Sequence, residues 1–306
     1  MSNSKMRIQV LMPTYNGERF LAEQLDSILA QQGHFELRIT VRDDGSTDGT
    51  RAILAHYSQA HGVHVVFGER VGVNAAVMAL VNGAPDDADL YAFSDQDDVW
   101  YPFRLQEAVT AIQARPSGRP LLWTCMEELT DEDLHVLCAM PRPKLLGDMY
   151  NAIIQNKTPG HTQVFNQALR VLLKGYPPQQ IFVYDWVLYL LACTFGEVLY
   201  CSRSCGKYRQ HSANAIGYSA NWLAHLLRRL QRLRRGDLRG IAAQQGFYLA
   251  RYHNSLPEAS RHALEGFVHS RGCLLARIRF AFTTRTKRDT WFESLQFRIL
   301  YILGVF

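Results

Sequence analysis

The first hundred residues alternate short apolar runs with amphipathic segments, and this rhythm limits the fold more than any other property of the chain. Arg7-Ile-Gln-Val-Leu-Met-Pro13 reads as a strand closed by Pro13, followed by the loop Thr14-Tyr15-Asn16-Gly17. From Glu18 to Gln32, Phe20, Leu21, Leu25, Ile28 and Leu29 recur at helical spacing, and Gly33 stops the helix. Phe35 to Val41 reads as a second strand, and a helix follows through Ile53, Leu54 and Tyr57. Val63–Phe67 is a third strand, Val73–Val81 a third helix and Asp89–Ser94 a fourth strand. Alternation at this pace predicts an α/β protein with a mostly parallel, doubly wound sheet flanked by helices. A helix from Pro102 to about Ala114 and a strand at Pro120–Thr124 extend the pattern. Between 125 and 180 the periodicity weakens, although Gln163–Asn166 and the helix Asn166–Lys174 stand out. Asp185–Phe195 is apolar enough for a buried helix.

Ser94-Asp95-Gln96-Asp97-Asp98-Val99-Trp100 puts three carboxylates in four residues directly after the apolar run Leu90–Phe93. Carboxylates so close repel one another unless a cation neutralises them. At the carboxyl end of a strand in an α/β sheet they stand where ligands bind. Hard oxygen ligands of this kind suit Mg²⁺ or Mn²⁺ carried with a phosphate-bearing substrate. An isolated DxDD is equally readable as a solvated acidic turn. The second strand ends in Asp43-Asp44-Gly45-Ser46, where a carboxylate can hydrogen-bond a base or ribose hydroxyls; Ser46, Thr47 or Asp48 can also cap the following helix. The first turn reads Pro-Thr-Tyr-Asn-Gly and lacks G-x-G-x-x-G, which argues against a nicotinamide enzyme.

Three blocks carry a resemblance: Val-Leu-Met-Pro-Thr-Tyr-Asn-Gly at 10–17, Val-Arg-Asp-Asp-Gly-Ser-Thr-Asp-Gly-Thr at 41–50 and Ser-Asp-Gln-Asp-Asp-Val-Trp at 94–100. In order and spacing they resemble the signature blocks of family 2 glycosyltransferases, which have the GT-A fold. The resemblance covers about residues 6–217. It implies a donor pocket lined by Pro13, Thr14 and Asp44, with Tyr15, Asn16 and Ser46 beside them. It also implies a DxD element in which Asp95 and Asp97 hold the metal on the donor diphosphate, with Asp98 close by. The catalytic base falls on Asp185, in Val183-Tyr184-Asp185-Trp186; Tyr184 departs from the common preceding residue. Taken alone, an aspartate at a helix start also reads as a cap. Asn156–Thr162 resembles the loop ahead of the base that meets the acceptor, which brings in Gly160 and His161, with Trp186 after the base. Lys207–Asn214 looks like the Tyr-Arg-Gln-His block of bacterial rhamnosyltransferase-like members. There His211 completes the metal shell and Arg209 pairs with the diphosphate.

The implied function is metal-dependent inverting transfer of a hexose from a dTDP- or UDP-linked nucleotide sugar, with L-rhamnose from dTDP-rhamnose as the particular donor. The acceptor is a lipid-linked or polysaccharide glycan, such as a surface polysaccharide or O-antigen. A sugar nucleotidyltransferase and a non-catalytic nucleotide-sugar-binding or assembly partner at the membrane are the rival readings.

The net charge of +5 conceals an asymmetry. Residues 1–220 carry 18 Lys+Arg against 23 Asp+Glu, whereas 221–306 carry 15 against 5. A glycosyltransferase domain over 1–220 (a nucleotide-binding half to about 115, an acceptor half after it) is expected to end in a basic helical extension, 221–306. Trp222, the Leu/Arg helix at 223–235 and the Arg/aromatic segment at 271–306 fit an anionic membrane surface; packing of the leucines on the body is the alternative. No nucleic-acid motif is present. No apolar run reaches the ~18–20 residues that span a bilayer. Six scattered cysteines and an opening without a signal-peptide pattern lead to the expectation of a cytoplasmic protein, peripheral on the inner membrane face, with free thiols.

Overall fold

A computed structural model of the chain describes residues 5–211 and 237–306. The amino-terminal half runs β1 (Met6–Thr14), α1 (Leu21–Leu29), β2 (Phe35–Asp43), α2 (Thr50–His61), β3 (His64–Phe67), α3 (Val73–Gly83) and β4 (Leu90–Phe93). Val10, Leu11 and Met12 of β1 are fully buried although they point to alternate faces. A strand covered by helices on both sides needs that composition. β1 pairs in parallel with β2 on one edge and β4 on the other, and β3 joins β2 in parallel. The direction of winding therefore reverses at β1. The loops after β1 and β4 lie side by side at the carboxyl ends, the usual place for a ligand crevice.

The second half is mixed. β5 (Val99–Trp100), α4 (Arg104–Gln113), β6 (Leu121–Thr130), β7 (Val136–Ala139), α5 (Met149–Ala152), β8 (Val164–Asn166), α6 (Gln167–Leu173), α7 (Tyr184–Phe195) and β9 (Glu197–Arg209) follow. The sheet order is β3-β2-β1-β4-β8-β6-β9-β5, with β7 on β6. β8 runs antiparallel to β4 and β6, β6 and β9 are parallel, and β5 is antiparallel to β9. β9, thirteen residues long, has no counterpart in the sequence reading. Its ladder with β6 shifts register on both sides of Met126, so the period of two that would reveal a strand is interrupted.

Two cores cover the sheet. Leu21, Leu25 and Ile28 of α1 pack with Leu54, Leu105 and Val109 on one face. On the other, α7 is apolar all round and lies among residues of α3 and α6, with Val187 to Ala192 fully buried. Each such leucine contributes ~1.5–3 kcal/mol by leaving water. Four further helices, α8 (Asp237–Tyr252), α9 (Glu258–His269), α10 (Leu274–Thr283) and α11 (Trp291–Ile302), add to this second core through Tyr248, Phe267 and Tyr301. The Gln244 side-chain oxygen of α8 accepts the N–H groups of Phe182 (2.9 Å) and Val183 (3.2 Å), which fixes the entry to α7. The described part of the basic extension is thus helical and packs on the body. The expected helix at 223–235, Trp222 and Asn214 lie outside the described residues.

Candidate active site

The crevice between the ends of β1 and β4 is held by side chains from three loops. Asn16 takes a left-handed conformation (φ 48°), which Asn tolerates, and its N–H donates to Ser46 Oγ at 2.9 Å. Its side-chain oxygen accepts the Thr47 N–H at 2.9 Å. Gln96 Oε1 accepts both the Thr14 hydroxyl (2.5 Å) and the Tyr15 N–H (2.9 Å), which ties the loop after β1 to the acidic loop. Arg70 lies over the Tyr15 ring, 4.2 Å from its centre. Asp44 is buried and accepts from the Arg42 guanidinium and from the N–H groups of Val71 (3.0 Å) and Gly72 (2.9 Å). Burial alone would raise its pKa, but these donors outweigh it and hold the carboxyl below the usual range. Ser46 does not cap α2. Its N–H donates to Asp43; the N-cap position is Gly49, and Asp48 just before it accepts the Thr50 N–H at 3.1 Å.

Deeper in, the acidic loop meets residues from β6 and from the turn at Gly160–Thr162. His161 Nδ1 is 3.3 Å from Asp95 Oδ2, and Nε2 is 2.8 Å from Glu127 Oε2. Arg104, fully buried at the start of α4, bonds Glu127 Oε1 at 2.8 Å and donates to the His161 carbonyl. Burial favours the neutral forms, yet the opposed charges prevail: Glu127 is held at about 2, while Glu127 and Asp98 raise His161 well above its ordinary value. Asp98 is buried; one oxygen accepts the Arg209 N–H at 3.2 Å and the other has no partner. Burial, with Asp97 and Glu127 adding repulsion, pushes its pKa well up. One ligand atom each from Asp95, Asp98 and His161 lies within 4.8 Å of the others, the one such cluster among the described residues. Two carboxylates and an imidazole, with an unpartnered buried oxygen, form a donor set that suits Mg²⁺ or Mn²⁺.

Asp185 stands in the first turn of α7 but does not cap it. Its Oδ2 reaches out of the helix to accept the Gly160 N–H at 3.0 Å, while Oδ1 is buried without a partner. The pocket is close-packed, since a Cβ at Gly160 would overlap the Tyr184 hydroxyl. Gln163 Nε2 fixes the Asp185 carbonyl at 2.9 Å and the Thr158 hydroxyl at 2.8 Å, which joins the turn to the helix. Burial dominates the carboxyl and pushes it up to about 7; the Gly160 and Trp186 N–H groups oppose this.

Residues 9–119 match the family model Glycosyl transferase family 2. Over that segment the chain is similar to family 2 glycosyltransferases. A glycosyltransferase of Nostoc sp. is 27% identical over 221 residues, 68% of this chain and 66% of that protein. The dTDP-rhamnosyl transferase RfbG of Shigella flexneri is 28% identical over 238 residues, 70% of this chain and 76% of RfbG. The chain thus spans about two thirds to three quarters of these relatives. Among solved structures, a mannosyltransferase of Pyrobaculum calidifontis in complex with GDP-Man and Mn²⁺ superposes with a TM-score of 0.56. The identity is 18% over 98% of this chain and 86% of the other, a likeness that shows the GT-A fold.

The fold distributes the remaining expected residues unevenly. Asp97 Oδ2 is 2.7 Å from His211 Nε2, so these two meet each other beside the Asp95–Asp98–His161 cluster. Arg209 is buried; its guanidinium donates to the Asp97 carbonyl (2.9 Å), the Glu132 carbonyl and Glu23, and lies over the Phe20 ring. It therefore braces the acidic loop. Trp186 is buried in the core and donates its indole N–H to the Ala152 carbonyl at 2.6 Å. Pro13 and Thr14 close β1 at the crevice, next to Asp44 N, which donates to the Thr14 carbonyl at 2.8 Å.

Arg104, Glu127, Gln96 and Gln163 escaped the sequence reading. Glu127 carried a signal: it lies six residues into a strand that opens Leu-Leu-Trp-Thr-Cys, where a carboxylate needs a buried partner.

Proposed function

We propose that the chain is a metal-dependent inverting glycosyltransferase that moves a hexose from a nucleotide sugar to a glycan acceptor. The observation that carries this is Asp185: a buried carboxyl raised to about 7, one oxygen anchored by the Gly160 N–H and the other unpartnered. A base poised near neutrality suits the removal of a proton from an attacking hydroxyl. The acceptor oxygen bonds to the anomeric carbon and its proton passes to Asp185. The bond from that carbon to the nucleoside diphosphate breaks with the electron pair leaving on the diphosphate. Displacement from one face inverts the anomeric centre.

Asp95, Asp98 and His161 would hold the divalent ion, with Asp97 and His211 adjoining. When bound, the ion stabilises negative charge on the departing diphosphate. The loop bearing Thr14, Tyr15 and Asn16, with Ser46 and Asp44, bounds the nucleoside side of the crevice. Gly160 and His161 bound the acceptor side. The likeness to RfbG favours L-rhamnose from dTDP-rhamnose, and a lipid-linked or polysaccharide acceptor such as an O-antigen at the inner face of a membrane.

The test is a panel of dTDP-, UDP- and GDP-sugars scored for Mn²⁺- or Mg²⁺-dependent rise in melting temperature, followed by transfer assays with the best donor. The reading requires the largest rise with dTDP-rhamnose and none without metal. Equal stabilisation by every nucleotide, or indifference to metal, would remove it.

A further inference from the structure

The last two helices are apolar on two opposite sides. Phe280 and Ala281 of α10, and Phe297 and Tyr301 of α11, turn inward and are buried; the Phe280 and Tyr301 rings are 4.7 Å apart. On the other side of α10, Leu275 and Phe282 are 78% and 75% exposed, with Arg279 between them on the same helical stripe. On α11, Trp291, Leu295, Ile299 and Leu303 repeat every four residues and all are exposed, Trp291 by 79%. A helix that only packs on a protein body keeps its outer face polar. Exposed apolar stripes of this size mark an interaction surface. Residues 271–306 carry seven Lys/Arg against two Asp/Glu, and one of the two, Asp289, is already paired with Lys157. Arg279, Arg285 and Lys287 are exposed. The sum is an apolar face with a cationic surround, which is complementary to an anionic lipid headgroup layer over acyl chains. No helix among the described residues is long and apolar enough to cross a membrane, so the face fits contact with its surface.

We infer that the α10–α11 hairpin is the surface on which the protein docks to an anionic membrane, with Leu275, Phe282, Trp291, Leu295 and Ile299 entering the headgroup boundary. The position of the hairpin gives the docking a purpose. Its turn is fixed to the body by the Lys157–Asp289 ion pair and by Asn151 Nδ2 donating to the Lys287 carbonyl at 2.9 Å. Residues 151–157 lead directly into the turn that carries Gly160 and His161. Docking here holds the acceptor side of the site next to the lipid surface.

The experiment is flotation of the full chain with phosphatidylglycerol-containing vesicles and with pure phosphatidylcholine vesicles, at low and high salt. The expected result is flotation with the anionic vesicles only, weakened by salt. The variant Leu275→Ser/Phe282→Ser/Trp291→Ser/Ile299→Ser is expected to bind at least about tenfold more weakly, because each buried apolar group adds to partition. It alters exposed positions, so its melting temperature checks the fold. Arg279→Gln/Arg285→Gln/Lys287→Gln, which leaves the apolar stripes unchanged, is expected to bind more weakly and with less dependence on salt. Absence of flotation, equal flotation of both variants and wild type, or a wild-type dimer that the serine variant dissociates would overturn the inference. None of these readouts depends on the sugar transferred.

Discussion

Asp44 and Asp185 are both buried carboxylates beside one crevice, and the protein treats them in opposite ways. Asp44, at the end of β2, is surrounded by donors from Arg42, Val71 and Gly72, which keep it ionised and hold the 69–72 loop against the strand. Asp185, in the first turn of α7, is buried with only the Gly160 and Trp186 N–H groups to oppose desolvation, which raises it to about 7. Burial disfavours charge in both cases; what separates them is the number of N–H groups aimed at each carboxylate. A fully bonded carboxylate is fit to position a loop, and an under-bonded one is fit to take a proton.

The contrast can be broken at several points. The largest effect on stability is expected from Glu127→Ala, which leaves the buried Arg104 guanidinium without its carboxylate, strips His161 Nε2 of its partner and costs about 3–5 kcal/mol. Urea titration measures it, and Glu127→Gln should recover part of the loss. Gly160→Ala forces its Cβ against the Tyr184 hydroxyl and displaces the N–H that anchors Asp185. A shift of that kind should lower the transfer rate by about a hundredfold with donor affinity nearly unchanged. Asp44→Asn removes the charge facing Arg42 and should cost about 1–3 kcal/mol of stability together with weaker donor binding, read by calorimetry.

The smallest effect is a pH dependence. With Asp185 as base, the rate should fall about tenfold per unit below pH ~7 and level above it. Its folded-state pKa lies above the unfolded value, so the fold binds the proton more tightly. Stability should therefore decline as pH rises between the two values and then level off. Comparing wild type with Asp185→Asn in melting curves from about pH 5 to 8 isolates that slope.

The amino-terminal half was legible because β1 to β4 follow one period at a time: apolar strand, acidic or polar loop, amphipathic helix. The acidic loop was recognisable as a candidate metal site, and Asp185 as the candidate base. What the residues could not reveal is which carboxylate of Asp97 and Asp98 turns inward. That depends on β9, whose Arg209 N–H holds Asp98 and whose following His211 meets Asp97. β9 itself was hidden by bulges opposite Met126 and by Ser202, Arg203 and Ser204 in its centre. Arg104 and Glu127 look like surface charges in isolation and become a buried pair only through long-range packing. For His161, the resemblance of the 156–162 loop to an acceptor-meeting loop suggested the acceptor side. Its placement between Asp95 and Glu127 comes from β6 and the acidic loop. The terminal helices were legible as basic and amphipathic. That they carry a second apolar face turned to solvent is a property of the fold.

The central claim is that Asp185 removes the acceptor proton in a transfer whose donor is held elsewhere. The direct measurement is Asp185→Asn, assayed in one preparation for Mn²⁺-dependent nucleotide-sugar binding and for sugar transfer. The account requires donor binding within about twofold of wild type and turnover reduced by roughly 10²–10⁴. Transfer at the wild-type rate with intact donor binding would contradict it.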